Sequence, residues 1–385
     1  MMVVIADDLT GAAEIGGLAL KYGLMAEITT TVSLHSKADL LIIDTDTRSL
    51  SQTAAKAVIR EICTGLKALQ PTLLFKKIDS VLRGHVLAEI QLQQELLQLP
   101  KALIVPANPG LGRTVVNSTY LLNGQPLHQS SFSQDPEFPV YSSGIRELLQ
   151  AKDGDIQVLP HYAPQPGAGI VVAEVQNSSD LVAWSKTLDA DTLVAGAAEF
   201  FATILEAMNM RPLVTKESSA ILHPPALMIC GSAFHKSRAF VKKIEQDGFP
   251  VSYMPAALGD ASTDTQLFQL WMEATLLQLK QEGKVSIAVH PQMEDDKAHA
   301  LNIRNRMAEA AAFIAGQATL HEILIEGGST AAAVMRKLGI DRLYPTMALA
   351  PGVTRMRVQG NKELHLTLKP GSYEWPPLDL FPLMQ

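Results

Sequence analysis

Short apolar runs that stop abruptly at charged residues set the frame for this chain. Val3-Val4-Ile5-Ala6 ends at Asp7-Asp8, and Leu40-Leu41-Ile42-Ile43 ends at Asp44. Runs this short and this rich in β-branched residues read as strands. Leu73-Leu74-Phe75 and Ala102-Leu103-Ile104-Val105 add a third and a fourth. Between them lie stretches with helical periodicity at 11–21, near 51–66 and at 86–97. Thr10 is a candidate N-cap for the first, and Gly23 stands just past its end. Strands alternating with helices predict a parallel, doubly wound α/β sheet.

The texture changes from about 117 to 169, where prolines punctuate a Ser- and Gln-rich stretch. Loops, a small excursion and one helix near 144–152 are expected there. The α/β pattern resumes with Ile170–Ala173 and Leu193–Gly196. Residues 211–225 carry three prolines and form the candidate linker, dividing the chain into domains at 1–215 and 216–385. A second α/β unit then follows: a strand at Ala226–Ile229, a helix near 236–247, strands at Val285–Val289 and Leu324-Ile325, a helix ending at Gly339, and a strand at Leu364–Leu368.

In open α/β sheets ligands bind beyond the carboxyl ends of the strands. Those ends deliver Asp7 and Asp8; Asp44, Asp46 and Arg48; Lys76, Lys77, Asp79, Ser80 and Arg83; and Asn108 with Gly112-Arg113-Thr114. Asp7 and Asp8 could cap the first helix, and Arg48 could be a surface ion-pair partner. Taken together, the acidic and basic groups suit a polyhydroxy carboxylate: carboxylates accept from hydroxyls, and guanidinium and ammonium groups hold an acid. In the second unit, Gly231-Ser232 and Gly327-Gly328-Ser329-Thr330 stand between a strand and a helix, where backbone N–H groups can meet phosphate. Lys369-Pro370-Gly371-Ser372 follows the last strand as a further candidate for phosphate or ribose. None of these is a Walker or G-x-G-x-x-G motif, so a nicotinamide cofactor gains no support.

Composition narrows the partners. The 385 residues suit two domains, and 47% apolar residues allow each a core. A net charge of −7 argues against a nucleic-acid groove, which needs a concentrated basic face. Cys63 and Cys230 supply neither a disulfide framework nor zinc spacing, so a cytoplasmic setting and no metal site are expected. No membrane association is expected, because no run approaches the ~18 apolar residues of a spanning helix, and the first apolar run lacks the basic flank of a signal peptide.

Several of these stretches resemble the four-carbon acid sugar kinase family, which acts on D-threonate, D-erythronate and 3-oxo-tetronate. They are Ile5-Ala6-Asp7-Asp8-Leu9-Thr10-Gly11-Ala12, Asp46-Thr47-Arg48, Lys76–His85, Pro106-Ala107-Asn108-Pro109, Gly112-Arg113-Thr114-Val115 and Asp135-Pro136. The resemblance covers nearly the whole chain. It implies two α/β domains with largely parallel sheets, an active site in the cleft between them, and a kinase that uses ATP and Mg²⁺. Phosphate would go to the terminal hydroxyl of the acid. By motif match, Asp7 and Asp8 would be catalytic. Arg48, Lys77, Asp79, Ser80, Arg83, Gly84 and Arg113 would bind the sugar acid. Ser232, Gly327, Gly328, Ser329, Thr330, Gly352, Lys369 and Gly371 would bind ATP. A homodimer is compatible with this reading.

Three C-terminal stretches depart from the family pattern: Gly231-Ser232-Ala233-Phe234, Glu326–Ala331 and Lys369–Glu374. Glu326 is expected to set a negative charge near the phosphates unless a metal meets it. Two rival readings are a sugar-acid-binding protein without catalysis and a hydroxy-acid isomerase or dehydrogenase.

Overall fold

The computed structural model describes residues 1–134, 138–213, 223–232, 235–259, 264–293, 297–371 and 373–376. Asp135-Pro136, Ala233-Phe234 and Ser372 lie outside them. The chain divides into two compact units, Met1–Val214 and Thr215–Gln385.

In the first unit the sheet strands are β1 (Met2–Ala6), β2 (Ala26–Thr29), β3 (Leu40–Asp44), β4 (Leu73–Lys77) and β5 (Lys101–Val105). A small antiparallel sheet follows, made of β6 (Arg113–Val116), β7 (Thr119–Leu122) and β8 (Gln125–Pro126). The main sheet then gains β9 (Gln157–Leu159), β10 (Gly169–Ala173) and β11 (Thr192–Gly196). Its order is β2-β3-β1-β4-β11-β5-β10-β9, and every pairing is parallel.

The helices of this unit are α1 (Leu9–Lys21), α2 (Gln52–Leu69), α3 (Val86–Leu97), α4 (Ile145–Leu148), α5 (Ser178–Ser185) and α6 (Ala198–Ala207). All five residues of β1 are buried, as expected for a strand covered on both faces. On α2 the buried residues Ala55, Ile59, Ile62, Cys63 and Leu66 recur at helical spacing. Ile59, Ile62, Cys63 and Leu66 pack with Val3, Ile5, Leu41 and Ile43. Each such aliphatic side chain contributes about 2 kcal/mol of burial.

In the second unit, β12 (Ala226–Cys230), β13 (Val251–Met254), β14 (Lys284–Val289), β15 (Glu322–Glu326), β16 (Arg342–Ala350), β17 (Val353–Val358) and β18 (His365–Lys369) build a mixed sheet. The run β13-β14-β12-β15-β18 is parallel, and β17 and β16 continue it antiparallel. Its helices are α7 (His235–Gln246), α8 (Thr265–Glu282), α9 (Lys297–Gln317) and α10 (Gly328–Leu338).

The structure adjusts several sequence expectations. The first helix starts at Leu9 and is capped by Asp8, not Thr10. The Asp8 carboxylate accepts both the Gly11 N–H and the Thr10 hydroxyl, and a charge at a helix N-terminus is the stronger acceptor. The third strand runs on through Lys76 and Lys77, because both lysines find carboxylates, one on each face of the sheet. The helix expected near 144–152 shrinks to four residues, Ile145–Leu148. The excursion is a three-stranded meander whose turns, Asn117-Ser118 and Asn123-Gly124, have positive φ throughout, as tight hairpins require.

Candidate active site

Register brings the polar residues of the first unit together. Ala6 pairs with Asp44 on one side and with Lys77 on the other. The loops that leave β1, β3 and β4 therefore emerge next to one another at one edge.

Arg48 is the hub of that edge. Its Nε and Nη2 donate to the two Asp7 oxygens at 3.0 and 2.9 Å. Its Nη1 and Nη2 donate to the two Asp8 oxygens at 2.8 and 2.9 Å. Asp79 Oδ1 lies 3.6 Å from Nη1. Asp79 in turn receives Arg83 Nε and Nη2 at 2.9 and 2.8 Å, together with the N–H groups of Val81 and Arg83. Gly84 lies against the Arg48 side chain; a Cβ there would sit 3.1 Å from Arg48 Cγ.

Lys77 Nζ donates to the Ile78 carbonyl at 3.0 Å and lies 3.3 Å from Glu14. Gly11 permits this arrangement. A Cβ on it would stand 2.9 Å from Asp8 Oδ1 and 3.3 Å from Lys77 Nζ, so a side chain would wedge into the cluster. Arg113 Nη1 donates to Ser80 Oγ, and the Tyr120 hydroxyl donates to the Ser80 carbonyl. The Arg83 and Arg113 guanidiniums flank the Phe132 ring at 5.3 and 5.6 Å from its centre. Among the described residues, Arg113 Nε is buried without a hydrogen-bond acceptor.

All nine residues expected at the sugar-acid site thus fall in one connected cluster. The expected assignment of Arg48, Arg83 and Lys77 to the ligand's carboxylate meets a different geometry, however. Their charges already face carboxylates of their own unit. The cluster also includes Glu14, Tyr120 and Phe132, for which the sequence carries no motif signal. Asp44 was visible as a strand-end residue.

Burial divides the acids. It pushes the Asp7 carboxyl above its ordinary value, outweighing Arg48, and the neighbouring Asp8 charge adds to the rise. Burial also pushes on Asp8, but Arg48, the Thr10 hydroxyl, Lys77 and the Gly11 N–H together hold it below its ordinary value. Asp44 is driven well above the carboxylate range by burial and by the negative charges of Asp46, Asp8 and Asp7. Asp79 is also buried, yet Arg83 and Arg48 hold it far below that range. Neighbouring carboxyls whose affinities for a proton are driven apart are what acid–base chemistry needs.

The carboxyl edge of the second unit gathers the expected nucleotide residues. Gly231 and Ser232 leave β12, and a Cβ on Gly231 would lie 3.2 Å from Thr330 Oγ1 at the start of α10. Gly327 has φ +91° and precedes α10, and its N–H donates to the Lys369 carbonyl at 2.9 Å. Gly328, Ser329 and Thr330 form the first turn of α10. Gly352 lies against Tyr373 and Pro370. A Cβ on Gly327 or on Gly371 would meet nothing within 4 Å, so open space lies over the helix start and over the following turn. That space and those N–H groups fit a phosphate.

The expectation for Glu326 is corrected. Its carboxylate is met by the Lys369 ammonium at 3.2 Å, not left facing the glycine turn. Lys369 accordingly does not present a free charge to a ligand.

A family model described as a sugar-binding N-terminal domain matches residues 2–221, and one described as a nucleotide-binding C-terminal domain matches 227–373. A D-threonate kinase of Salmonella typhimurium is 32% identical over 215 residues, 51% of this chain and 48% of its own length. A D-erythronate kinase of Heliobacterium modesticaldum is 27% identical over 275 residues, 63% and 60% of the two chains. The match therefore spans about half of these relatives. A 3-oxo-tetronate kinase of Pseudomonas fluorescens is 24% identical over 96% of this chain and 93% of its own. Among solved structures, a Salmonella typhimurium protein described as a putative tRNA synthase shares the fold, with a TM-score of 0.78, 20% identity, and coverage of 97% of this chain and 96% of that one.

Proposed function

Because the chain belongs to the four-carbon acid sugar kinase family, we propose that it transfers the γ-phosphoryl group of ATP to the terminal, 4-hydroxyl of a four-carbon sugar acid such as threonate, erythronate or 3-oxo-tetronate. The observation that carries this reading is the cluster of Asp7, Asp8 and Arg48 at the carboxyl edge of the sugar-binding unit, in one chain with a glycine turn that opens α10 in the nucleotide-binding unit.

The geometry supports the following roles. Asp8, held ionised, orients the acceptor hydroxyl. Asp7, the weaker acid, receives its proton as the acceptor oxygen bonds to phosphorus and ADP leaves. Arg48 fixes both carboxylates in place. Arg113 is the guanidinium with buried bonding capacity left over, and it anchors the carboxylate of the acid, with Ser80 beside it. Asp79, Arg83, Lys77 and Gly84 hold the wall of the site.

In the second unit, Ser232, the turn 327–330, Gly352 and Gly371 surround the phosphates and ribose. Mg²⁺ accompanying ATP would supply charge neutralisation during transfer. Catalysis rests mainly on positioning. The test is ATP consumption over a panel of four-carbon sugar acids, with product phosphorylation located by ³¹P and ¹³C NMR. A panel without any acid that stimulates ATP use contradicts the proposal.

A further inference from the structure

Glu326 ends β15 and Lys369 ends β18, and the parallel register sets them side by side. They are 1% and 2% exposed. The Lys369 ammonium lies 3.2 Å from Glu326 Oε1 and donates to the carbonyls of Pro370 and Tyr373 at 2.9 and 2.7 Å. The ammonium thus meets one carboxylate as an ion pair and two carbonyls as hydrogen-bond acceptors, and its charge is matched within its own unit. Glu326 Oε2 accepts the Ser237 hydroxyl from the first turn of α7 at 3.0 Å. The Trp375 ring covers the pair, 5.8 Å from the ammonium. The next residue after Glu326 is Gly327, which opens the turn into α10.

A lysine beside a glycine turn at a helix start is well placed to meet phosphate as a point charge. Here that charge is already matched. We propose that Glu326 is a positioning residue that withholds the Lys369 ammonium from nucleotide phosphates. The lysine instead holds the Pro370 and Tyr373 carbonyls. ATP without a divalent cation is therefore held weakly, and the cation that accompanies ATP supplies the positive charge that Lys369 does not. This inference rests on the nucleotide-binding reading of the second unit.

The physical logic is one of charge balance. A buried ammonium that loses its carboxylate must give up its proton or acquire another anion. Replacing Glu326 by its neutral isostere turns a neutral pair into a site with anion affinity, next to the turn where phosphates sit.

Isothermal titration calorimetry tests this on the full chain, with ATP in EDTA and ATP in excess Mg²⁺. The wild type is expected to bind ATP at least about tenfold more weakly in EDTA than in Mg²⁺. Glu326→Gln is expected to tighten metal-free ATP binding about tenfold, which corresponds to a net gain of about 1.4 kcal/mol. The double variant Glu326→Gln/Lys369→Met is expected to lose that gain. A folded Glu326→Gln variant that binds metal-free ATP no better than wild type overturns the inference, as does a double variant that keeps the gain.

If Glu326→Gln does not fold, the double variant decides the matter, because it replaces the pair without leaving a charge. Its metal-free affinity is expected within about twofold of wild type. A tenfold loss would mean that the ammonium meets phosphate in the wild type, which contradicts the proposal. Wild-type protein that binds ATP under neither condition overturns the nucleotide reading itself. Wild-type binding with an unresponsive Glu326→Gln variant overturns only the role given to Glu326.

Discussion

Asp8 receives two hydrogen bonds from Arg48, at 2.8 and 2.9 Å, while the same carboxylate caps α1 through the Gly11 N–H. One side chain thus starts a helix and faces the site. Asn caps helices as well as Asp does, so Asp8→Asn separates the two roles. Its helix content by circular dichroism should match wild type. Its turnover should fall about 10²-fold or more, the scale of losing a group that orients a reactant. A variant with near-normal turnover would remove Asp8 from the reaction.

Arg48 is enclosed by three carboxylates, those of Asp7, Asp8 and Asp79. Arg48→Met leaves Asp7 and Asp8 without the guanidinium between them, while Asp79 keeps Arg83, and unfolding in urea should show a loss of about 3–5 kcal/mol. The pH dependence has a definite sign. Without the guanidinium the folded-state pKa values of these acids rise. The variant should then recover part of its deficit as pH falls from 8 to 5, because protonation relieves the repulsion. A deficit that does not change with pH would argue against the charge account.

Asp44 offers a test of the opposite kind. Its pKa is raised in the folded state by burial and by three neighbouring carboxylates. An acid with a raised folded pKa contributes nothing below its unfolded value of about 3.9 and destabilises increasingly as pH rises through the folded one. Asp44→Asn should therefore melt at or above the wild-type temperature at pH 8, and the difference should shrink toward pH 4. A variant that is less stable at pH 8 than at pH 4, relative to wild type, would overturn this reading.

Much of this arrangement was legible in the sequence. The strand-end rule placed Asp7, Asp8, Arg48, Asp79, Arg83 and Arg113 on one edge, because hydrophobic periodicity locates the strands and the parallel topology does the rest. Pairing was not legible. Nothing in the sequence says that Arg48 turns inward to Asp7 and Asp8, or that Lys369 meets Glu326, because such contacts depend on register between strands far apart in the chain. The Asn123-Gly124 dipeptide is a hairpin signal that the expectation of loops, drawn from the surrounding prolines, passed over. β16 was hidden because it is only partly buried and its pairing with β17 is irregular in register, and β17 because Arg355 and Arg357 interrupt its buried residues.

Lys76 and Glu89 form an ion pair of 2.6 Å, and neither side chain is exposed by more than 1%. Removing one partner strands a charge in the core. Lys76→Met should cost about 3–5 kcal/mol, whereas Lys76→Met/Glu89→Leu should recover most of that loss. Urea denaturation of the two single variants and the double variant completes the cycle. Additive losses would show that the pair does not act as a unit.

The central claim is phosphoryl transfer to a four-carbon sugar acid, and the most direct measurement is product analysis. Purified protein, ATP, Mg²⁺ and each acid of a stereochemically complete panel would be followed by ³¹P NMR. The expected result is a new phosphate monoester at the terminal carbon of at least one acid, formed in step with ADP and absent with Asp8→Asn. ATP left intact with every acid, or hydrolysed to free phosphate without a phosphorylated acid, would contradict the account.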